Sequence, residues 1–275
     1  MKRTRFLILV LAVSISHGLS AQSAPENTLP QQGICAHRGA HEKHPENTMA
    51  AFREAIRLGA QMIEFDVRLS KDGHPVVIHD PSVDRTTNGS GAVKSLTLAE
   101  LKTLDAGSWK SPEFSDEKIP TLQEVLAIMP KDIWLNIHLK GGKKLGKITA
   151  QLILLGNRGH QAVLACEKKA ALGVQKVDPS LKICNMERTP KRSSYIEETL
   201  KRRYAFIQLK KSRDDQASPS DIKRLKEHGV LINYVAAETP EEMRLLFDKG
   251  IDFVLTDNLY RLIKAFDHDK GKNRK

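Results

Sequence analysis

Short apolar runs alternate with amphipathic stretches from Gly33 almost to the end of the chain, and this alternation limits the possible folds more than any other feature. It is typical of βα units, which build a parallel sheet. About eight units can be counted, which favours a closed barrel over an open sheet. The chain has 275 residues, enough for one α/β barrel of about 250 residues. We therefore predict an α/β fold with a single barrel over residues 33–265.

The individual elements follow from the period of the apolar positions. The predicted strands are 34–37, 62–69, 75–79, 133–139, 162–165, 181–184, 204–209, 230–235 and 253–255. The predicted helices are 48–58, 144–155, 194–202, 221–228 and 240–248. The last helix has the strongest start signal, because Thr239 is a capping residue and Pro240 takes the first helical position.

Two segments fall outside the alternation. Residues 81–120 interrupt it, and we predict a loop insertion that contains one short helix at 98–104 and lies above one mouth of the barrel. Residues 267–275 form a polar tail, for which we predict a frayed end.

The first 21 residues have the form of a secretory signal peptide. Basic residues at the start are followed by an apolar run of ten residues, 6–15, and then by small residues up to Ala21. We predict cleavage near Ser20 or Ala21 and an exported protein, either periplasmic or secreted. The alternative is an uncleaved N-terminal anchor. The run has about half the length that a bilayer span needs, so a stable membrane span is not predicted.

Charge and cysteine content exclude other classes of protein. The chain has 44 Lys and Arg against 33 Asp and Glu, a net charge of +11, spread along its length. No nucleic-acid partner is predicted, because nucleic-acid binders have a clustered basic stripe or a known reading motif. Three cysteines are too few for a disulfide scaffold. The packed core must therefore supply the stability of the fold.

Two carboxylates share one face of the second predicted strand. Residues 62–67 alternate strictly, so Glu64 and Asp66 face the barrel interior while their apolar neighbours face the helices. Two such anions about 6 Å apart would repel by about 2–3 kcal/mol at an effective dielectric near 20. A hard divalent cation such as Ca²⁺ or Mg²⁺ would relieve this repulsion. The alternative is a pair of salt bridges to Arg68 or Lys140.

Other chemistry-bearing residues follow predicted strands. Asn136, His138 and Lys140 alternate along one face, and three successive inward polar residues mark a site because their burial is costly. His37 and Arg38 end the first strand, at the barrel mouth where active sites lie. His79 ends the strand predicted at 75–79, and two converging histidines supply an acid and a base near neutral pH. A structural role remains the alternative for either histidine alone.

These elements together resemble the glycerophosphodiester phosphodiesterase family, over about 230 residues from Gly33 to about residue 265. The matching words are AHRGA, HPENTMAAF, GAQMIEFDVRLSKDGHPVVIHDPSVDRTTNGSG, SLTLAELKTLDAG, IPTLQEVL and GIDFVLTDN. The resemblance implies a TIM-type (β/α)8 barrel with an insertion after the second histidine. It also implies metal-dependent hydrolysis of a glycerophosphodiester to an alcohol and glycerol 3-phosphate.

The resemblance also implies roles for individual residues. His37 and His79 would be the catalytic acid and base, while Arg38 and Lys140 would contact the substrate phosphate. The implied metal site consists of Glu64, Asp66, His138 and Glu46, with Glu46 contacting the ion directly or through one of its ligands. His138 stands where the family usually has glutamate, which shifts the preference from Ca²⁺ or Mg²⁺ toward Mn²⁺ or Zn²⁺. The alternative is a weakened site in which His138 bonds a neighbouring side chain.

Two other functions remain open at this point. An exported binding protein, a degenerate enzyme of this family, would keep the barrel and the phosphate pocket without turnover. A phospholipase D-like member or lyase of the same barrel group would act on lipid headgroups, with a cyclic phosphate as its final product.

Overall fold

The computed structural model describes residues 29–187, 189, 191–216, 218–235 and 237–272. The predicted signal peptide lies outside the described residues. The strands are β1 (Gly33–Ala36), β2 (Met62–Leu69), β3 (Pro75–Val77), β4 (Trp134–Leu139), β5 (Ala162–Cys166), β6 (Lys182–Asn185), β7 (Phe206–Lys210), β8 (Leu231–Val235) and β9 (Phe253–Thr256). The α-helices are α1 (Met49–Arg57), α2 (Leu98–Thr103), α3 (Leu122–Ile128), α4 (Lys143–Leu155), α5 (Lys168–Val177), α6 (Arg192–Lys201), α7 (Ser218–Glu227), α8 (Pro240–Asp248) and α9 (Leu259–Lys272).

Eight of these strands form a closed parallel barrel in the order β1, β2, β4, β5, β6, β7, β8 and β9. The barrel closes because β1 pairs with both β2 and β9. Helices connect the strands and cover the outside, so the largest apolar cluster lies between barrel and helices. This is the predicted TIM-type (β/α)8 barrel, and the α/β prediction is confirmed.

The N-terminal end of the barrel interior is filled by aromatic rings. Trp134 and Phe206, at the starts of β4 and β7, have ring centroids 5.3 Å apart, and Phe253 of β9 lies 6.4 Å from Trp134. All three are at most 5% exposed. Because this end is packed, polar side chains of the interior are left to the C-terminal mouth, where active sites of such barrels lie.

The strand β3 is not a barrel strand. It runs antiparallel to the end of β2, with Val77 opposite Val67 and Pro75 opposite Leu69. The chain reverses between them in a turn that contains Gly73 at φ +88°. The Ser70 amide donates to the carbonyl of His74, and the His74 amide donates to Ser70 Oγ. His79 lies at the mouth as predicted, but it does not end a barrel strand. It follows β3, which ends at Val77 and runs antiparallel to β2.

The predicted insertion has its own small core. Residues 81–120 contain α2 and two short 3₁₀ helices, Val93–Ser95 and Pro112–Phe114. Their apolar side chains pack with the flank of β3 in a separate buried cluster. The insertion reaches the loop between β1 and α1, since Lys110 Nζ donates to the carbonyl of His41. It therefore lies over one side of the barrel mouth.

The C-terminal segment is more ordered than the sequence indicated. The predicted frayed tail began at residue 267, whereas α9 continues to Lys272. Phe266 is 3% exposed and packs on the core, and Asp269 bonds Arg244 of α8 at 2.7 Å. These contacts extend the helix beyond the predicted limit of the barrel at residue 265. None of the helices in the described ranges has both the length and the apolar character needed to cross a bilayer.

Two glycines set the distance between α4 and α5. A Cβ on Gly146 would lie 2.1 Å from the carbonyl oxygen of Ala170, and one on Gly173 would lie 2.1 Å from that of Lys143. We expect Gly146→Ala to lower the free energy of unfolding by about 1–3 kcal/mol through overpacking, although alanine favours a helix by about 1 kcal/mol. Gly271→Ala, in α9 with nothing near its Cβ position, is the matched control. Denaturant unfolding of both variants tests this, and equal midpoints would contradict it.

Candidate active site

The two carboxylates predicted on β2 lie together with one imidazole at the mouth of the barrel. Glu64 and Asp66 are 3% and 1% exposed, and Asp66 is directly opposite His138 on β4. His138 Nδ1 lies 3.2 Å from Asp66 Oδ1 and 3.6 Å from Glu64 Oε1. One ligand atom from each of the three residues falls within 4.8 Å of the others. Two carboxylate oxygens and a ring nitrogen form a suitable donor set for a divalent cation.

Asn47 holds one carboxylate oxygen of Asp66 in place, and the other oxygen faces His138. Asn47, at φ 58°, donates from Nδ2 to Asp66 Oδ2 at 3.0 Å and accepts from the Asp66 amide at 3.2 Å. Oδ1 is buried and accepts no hydrogen bond of good geometry. Burial raises the pKa of Asp66, but the interactions with His138 and Lys140 outweigh this effect and hold it below its usual range. A buried carboxylate oxygen that has no well-formed hydrogen bond fits a metal ligand.

The alternative to a metal ion was a pair of salt bridges from the carboxylates to Arg68 or Lys140, and the one to Lys140 forms. Lys140 Nζ lies 3.3 Å from Asp66 Oδ1. Arg68 instead donates to the backbone carbonyl of His79, with Nε at 2.9 Å. Arg38 lies at the same site, with Nε 3.6 Å from Asp66 Oδ2 and its amide donating to Glu64 Oε2 at 3.0 Å. The two residues predicted to contact phosphate, Arg38 and Lys140, therefore both border the carboxylate pair.

Glu46 is outside the group of possible metal ligands. Its Oε1 accepts from Arg38 Nη1 and Arg85 Nη2, and its Oε2 accepts from Arg85 Nη1, each at 2.8 Å. Burial raises the pKa of Glu46, but the opposite effect of Arg85 and Arg38 is larger. The pKa therefore lies below its usual value, and the carboxylate stays charged. Both oxygens are thus occupied by guanidinium groups. The structure does not place Glu46 as a direct metal ligand, and its contact is with the arginine that borders the site.

His37 is oriented by a carboxylate that sequence reasoning did not identify. Nδ1 lies 2.5 Å from Asp257 Oδ1, just beyond the end of β9, while Nε2 lies 4.0 Å from Glu64 Oε2. Because a carboxylate only accepts, Nδ1 carries the proton and Nε2 is free for proton transfer. Burial lowers the pKa of His37, but the bond with Asp257 and the charge of Glu64 raise it overall. The same Asp257 oxygen lies 2.9 Å from His41 Nε2.

His79 is also paired with an aspartate at Nδ1. Nδ1 lies 2.7 Å from Asp80 Oδ1, and Arg85 Nε donates to the second oxygen of Asp80 at 2.7 Å. The bond from Arg85 is the main reason why the pKa of Asp80 lies well below its usual range. The charge of His79 contributes to the low pKa of Asp66. Two histidines, each fixed at Nδ1 by an aspartate, therefore lie near the carboxylate pair.

An open cavity of about 600 Å³ lies directly beside this group. His138 and Lys140 belong to its wall, so the cavity opens onto the carboxylates. The remaining charged lining residues are Arg68, Lys169, Glu167 and Glu187. Its volume suits a small-molecule ligand, and the three cations on its wall suit an anionic one.

Several residues of the site were not assigned a role from the sequence. They are His41, Asn47, Asp80, Arg85 and Asp257. All but His41 occur within words quoted above, and Asp80 directly follows His79. Asp257 is 220 residues from His37, so no local pattern in the sequence connects the two.

Comparison with known proteins agrees with the geometry. The model of the glycerophosphoryl diester phosphodiesterase family matches residues 37–260. A glycerophosphodiester phosphodiesterase from Caldanaerobacter subterraneus subsp. tengcongensis is 35% identical over 241 residues, which cover 84% of this chain and 96% of the relative. An Oleispira antarctica phosphodiesterase, solved with its product sn-glycerol-3-phosphate, has a TM-score of 0.76 and 29% identity, covering 87% of this chain and 97% of that one. A glycerophosphodiester phosphodiesterase from Agrobacterium tumefaciens has a TM-score of 0.74 and 26% identity, and the match covers 85% of this chain and 99% of that one.

Proposed function

The chain belongs to the glycerophosphoryl diester phosphodiesterase family, and we propose that it hydrolyses glycerophosphodiesters to an alcohol and glycerol 3-phosphate with the help of a divalent metal ion. A glycerophosphodiester phosphodiesterase activity follows from its 35% identity to an enzyme of that name. The observation that carries the metal dependence is the group of Glu64, Asp66 and His138, in which the buried Oδ1 of Asp66 faces His138 at 3.2 Å and Lys140 at 3.3 Å and accepts no hydrogen bond of good geometry.

Glu64, Asp66 and His138 would hold the ion. A divalent cation bound there supplies positive charge that neutralises the phosphate and favours loss of the nucleophile's proton. The imidazole of His138 leaves the site with one negative charge fewer than three carboxylates would give. This donor set suits Mn²⁺ or Zn²⁺ better than a site of oxygen ligands alone, for which Ca²⁺ and Mg²⁺ are the usual ions.

His37 and His79 transfer the protons. Each has Nδ1 against an aspartate, so each can present Nε2 to the substrate. One histidine removes the proton of the nucleophile, which is water or a neighbouring hydroxyl of the substrate. The other donates a proton to the leaving alkoxide.

Arg38 and Lys140 bind the phosphate. Arg38 is positioned by Glu46, and its Nε is buried without a hydrogen-bond partner. Lys140 lies on the wall of the cavity with its ammonium near Asp66. A phosphate entering from the cavity would therefore meet two cations at the edge of the anionic group, which offsets the repulsion between phosphate and carboxylates.

Chelation tests the metal dependence. After dialysis against a chelator, we expect hydrolysis of a panel of glycerophosphodiesters to stop, and to return when Mn²⁺, Mg²⁺ or Ca²⁺ is added in excess or Zn²⁺ at one equivalent. Product analysis distinguishes the alternatives, because a cyclic phosphate as final product would favour the lyase-type function. Full activity after exhaustive chelation would contradict the metal proposal. Tight binding of the diesters without any turnover would favour the degenerate binding protein.

We also propose that the protein is exported after removal of residues 1–21. The proposal depends on the basic start, the ten-residue apolar run and the small residues before Ala21. N-terminal sequencing of protein recovered outside the cytoplasm is expected to begin near Ala21 or Gln22. A sequence that begins at Met1 would contradict cleavage.

A further inference from the structure

A second group of metal-ligand atoms lies beside the first, around His37, which directly follows β1. It consists of His37 Nδ1, His41 Nε2 and Asp257 Oδ1, all within 4.8 Å of one another. The aspartate oxygen is close to both rings, at 2.5 Å from His37 and 2.9 Å from His41. Three donor atoms from two separate loops thus converge on one point.

The backbone around this group holds the donors in place. The His37 amide donates to the carbonyl of Thr256, which precedes Asp257, at 3.3 Å. The hydroxyl of Thr256 bonds both the carbonyl of Ala237 and the amide of Asn258. Lys110 of the insertion fixes the carbonyl of His41. The convergence is therefore a property of the folded barrel mouth rather than of one flexible side chain.

The donor set selects the class of ion. Two imidazole nitrogens and one carboxylate oxygen suit Zn²⁺ and similar transition-metal ions, whereas Ca²⁺ and Mg²⁺ prefer oxygen ligands. Asp257 is 64% exposed and the two histidines are about a quarter exposed, so solvent can reach the point of convergence and supply a fourth ligand. The charge of the aspartate offsets part of the charge of the ion.

We propose that His37, His41 and Asp257 form a second metal site, selective for Zn²⁺ and ions of like preference, whose occupancy inhibits the enzyme. The ion would replace the proton on His37 Nδ1 as the partner of Asp257. The remaining ring proton would then reside on Nε2, which would have no lone pair left to accept another. As a base, His37 could then accept no proton. As an acid, it would have to give up the proton of a neutral, metal-bound ring, which is far less acidic than an imidazolium, so inhibition follows in either role. The proposed inhibition, which we call the inhibitory half of the proposal, rests on the proposed catalytic role of His37. The proposed Zn²⁺ binding, the binding half, does not.

Counting bound Zn²⁺ tests the binding half without any activity measurement. Calorimetric titration of the full chain is compared with that of His41→Gln, whose amide can still donate to Asp257 but binds Zn²⁺ poorly. His44→Gln is the matched control, since His44 lies in the same loop and contacts Tyr260 instead. We expect the wild type and His44→Gln to bind one more Zn²⁺ than His41→Gln. Equal stoichiometry and affinity in all three proteins would overturn the site.

Inhibition is then measured at saturating Mg²⁺, with each protein compared to its own activity without Zn²⁺. We expect the Zn²⁺ concentration for half inhibition to rise at least tenfold in His41→Gln and to stay unchanged in His44→Gln. If His41→Gln binds one Zn²⁺ fewer but is inhibited like the wild type, the inhibitory half is overturned while the site stands. Thermal melting of the variants, expected to match the wild type, ensures that the comparison is made on folded protein.

Discussion

Replacing either His37 or His79 by alanine is expected to reduce kcat on the order of 10²- to 10⁴-fold, the usual contribution of a positioned acid or base. Each imidazole is fixed at Nδ1 by an aspartate and lies near the buried pair Glu64 and Asp66. Alanine removes the only nitrogen at each position that can transfer a proton to or from the substrate. Since neither ring is part of the apolar core, the fold should not change.

The control for these variants is a histidine at the other end of the barrel. His160 precedes β5, is exposed and bonds the carbonyl of Lys131, far from the mouth in the topology. His160→Ala should keep near wild-type kcat. Steady-state kinetics with circular dichroism on all three variants tests the prediction. Near-full activity in His37→Ala or His79→Ala with an unchanged spectrum would leave that histidine a structural role only.

The barrel was predictable because its strands are buried on both faces and its helices on one. Apolar runs and amphipathic stretches differ in period, and the eight barrel strands lie within a few residues of the predicted ranges. The α5 helix was not predicted. Its sequence contains Gly173, a poor helix former, and the reason for a glycine there is the close approach of α4, which only the folded structure reveals.

Strand alternation also predicted the centre of the site, because period two decides which side chains share a face. Glu64, Asp66 and His138 come together as neighbours on paired strands. The contacts of Glu46 and Asp257 depend instead on loops. Arg85 of the insertion donates hydrogen bonds to Glu46. Asp257 lies beside His37 only because β9 pairs with β1 to close the barrel. Long-range closure of this kind has no local sequence pattern.

His138 stands where the family resemblance leads us to expect glutamate, and its replacement is expected to change metal selectivity. His138 Nδ1 lies close to both carboxylates, so removing the ring takes away one of three donors. We expect His138→Ala to weaken the binding of Mn²⁺ or Zn²⁺ by about tenfold or more. His138→Glu would restore a site of three carboxylates, add one negative charge and favour Ca²⁺ or Mg²⁺.

Calorimetric titration of the wild type and both variants with Ca²⁺, Mg²⁺, Mn²⁺ and Zn²⁺ tests this expectation. All three proteins also carry His41→Gln, which removes the second proposed site. The measured heats of binding then report only the ion near Glu64 and Asp66. The expected outcome is a reversal of the metal order in His138→Glu and a uniform loss of affinity in His138→Ala. The same order and the same affinities in all three proteins would place His138 outside the coordination shell. In that case Lys140, 3.3 Å from Asp66, would be the main cation near that carboxylate, and the degenerate binding protein would become the better description of the chain.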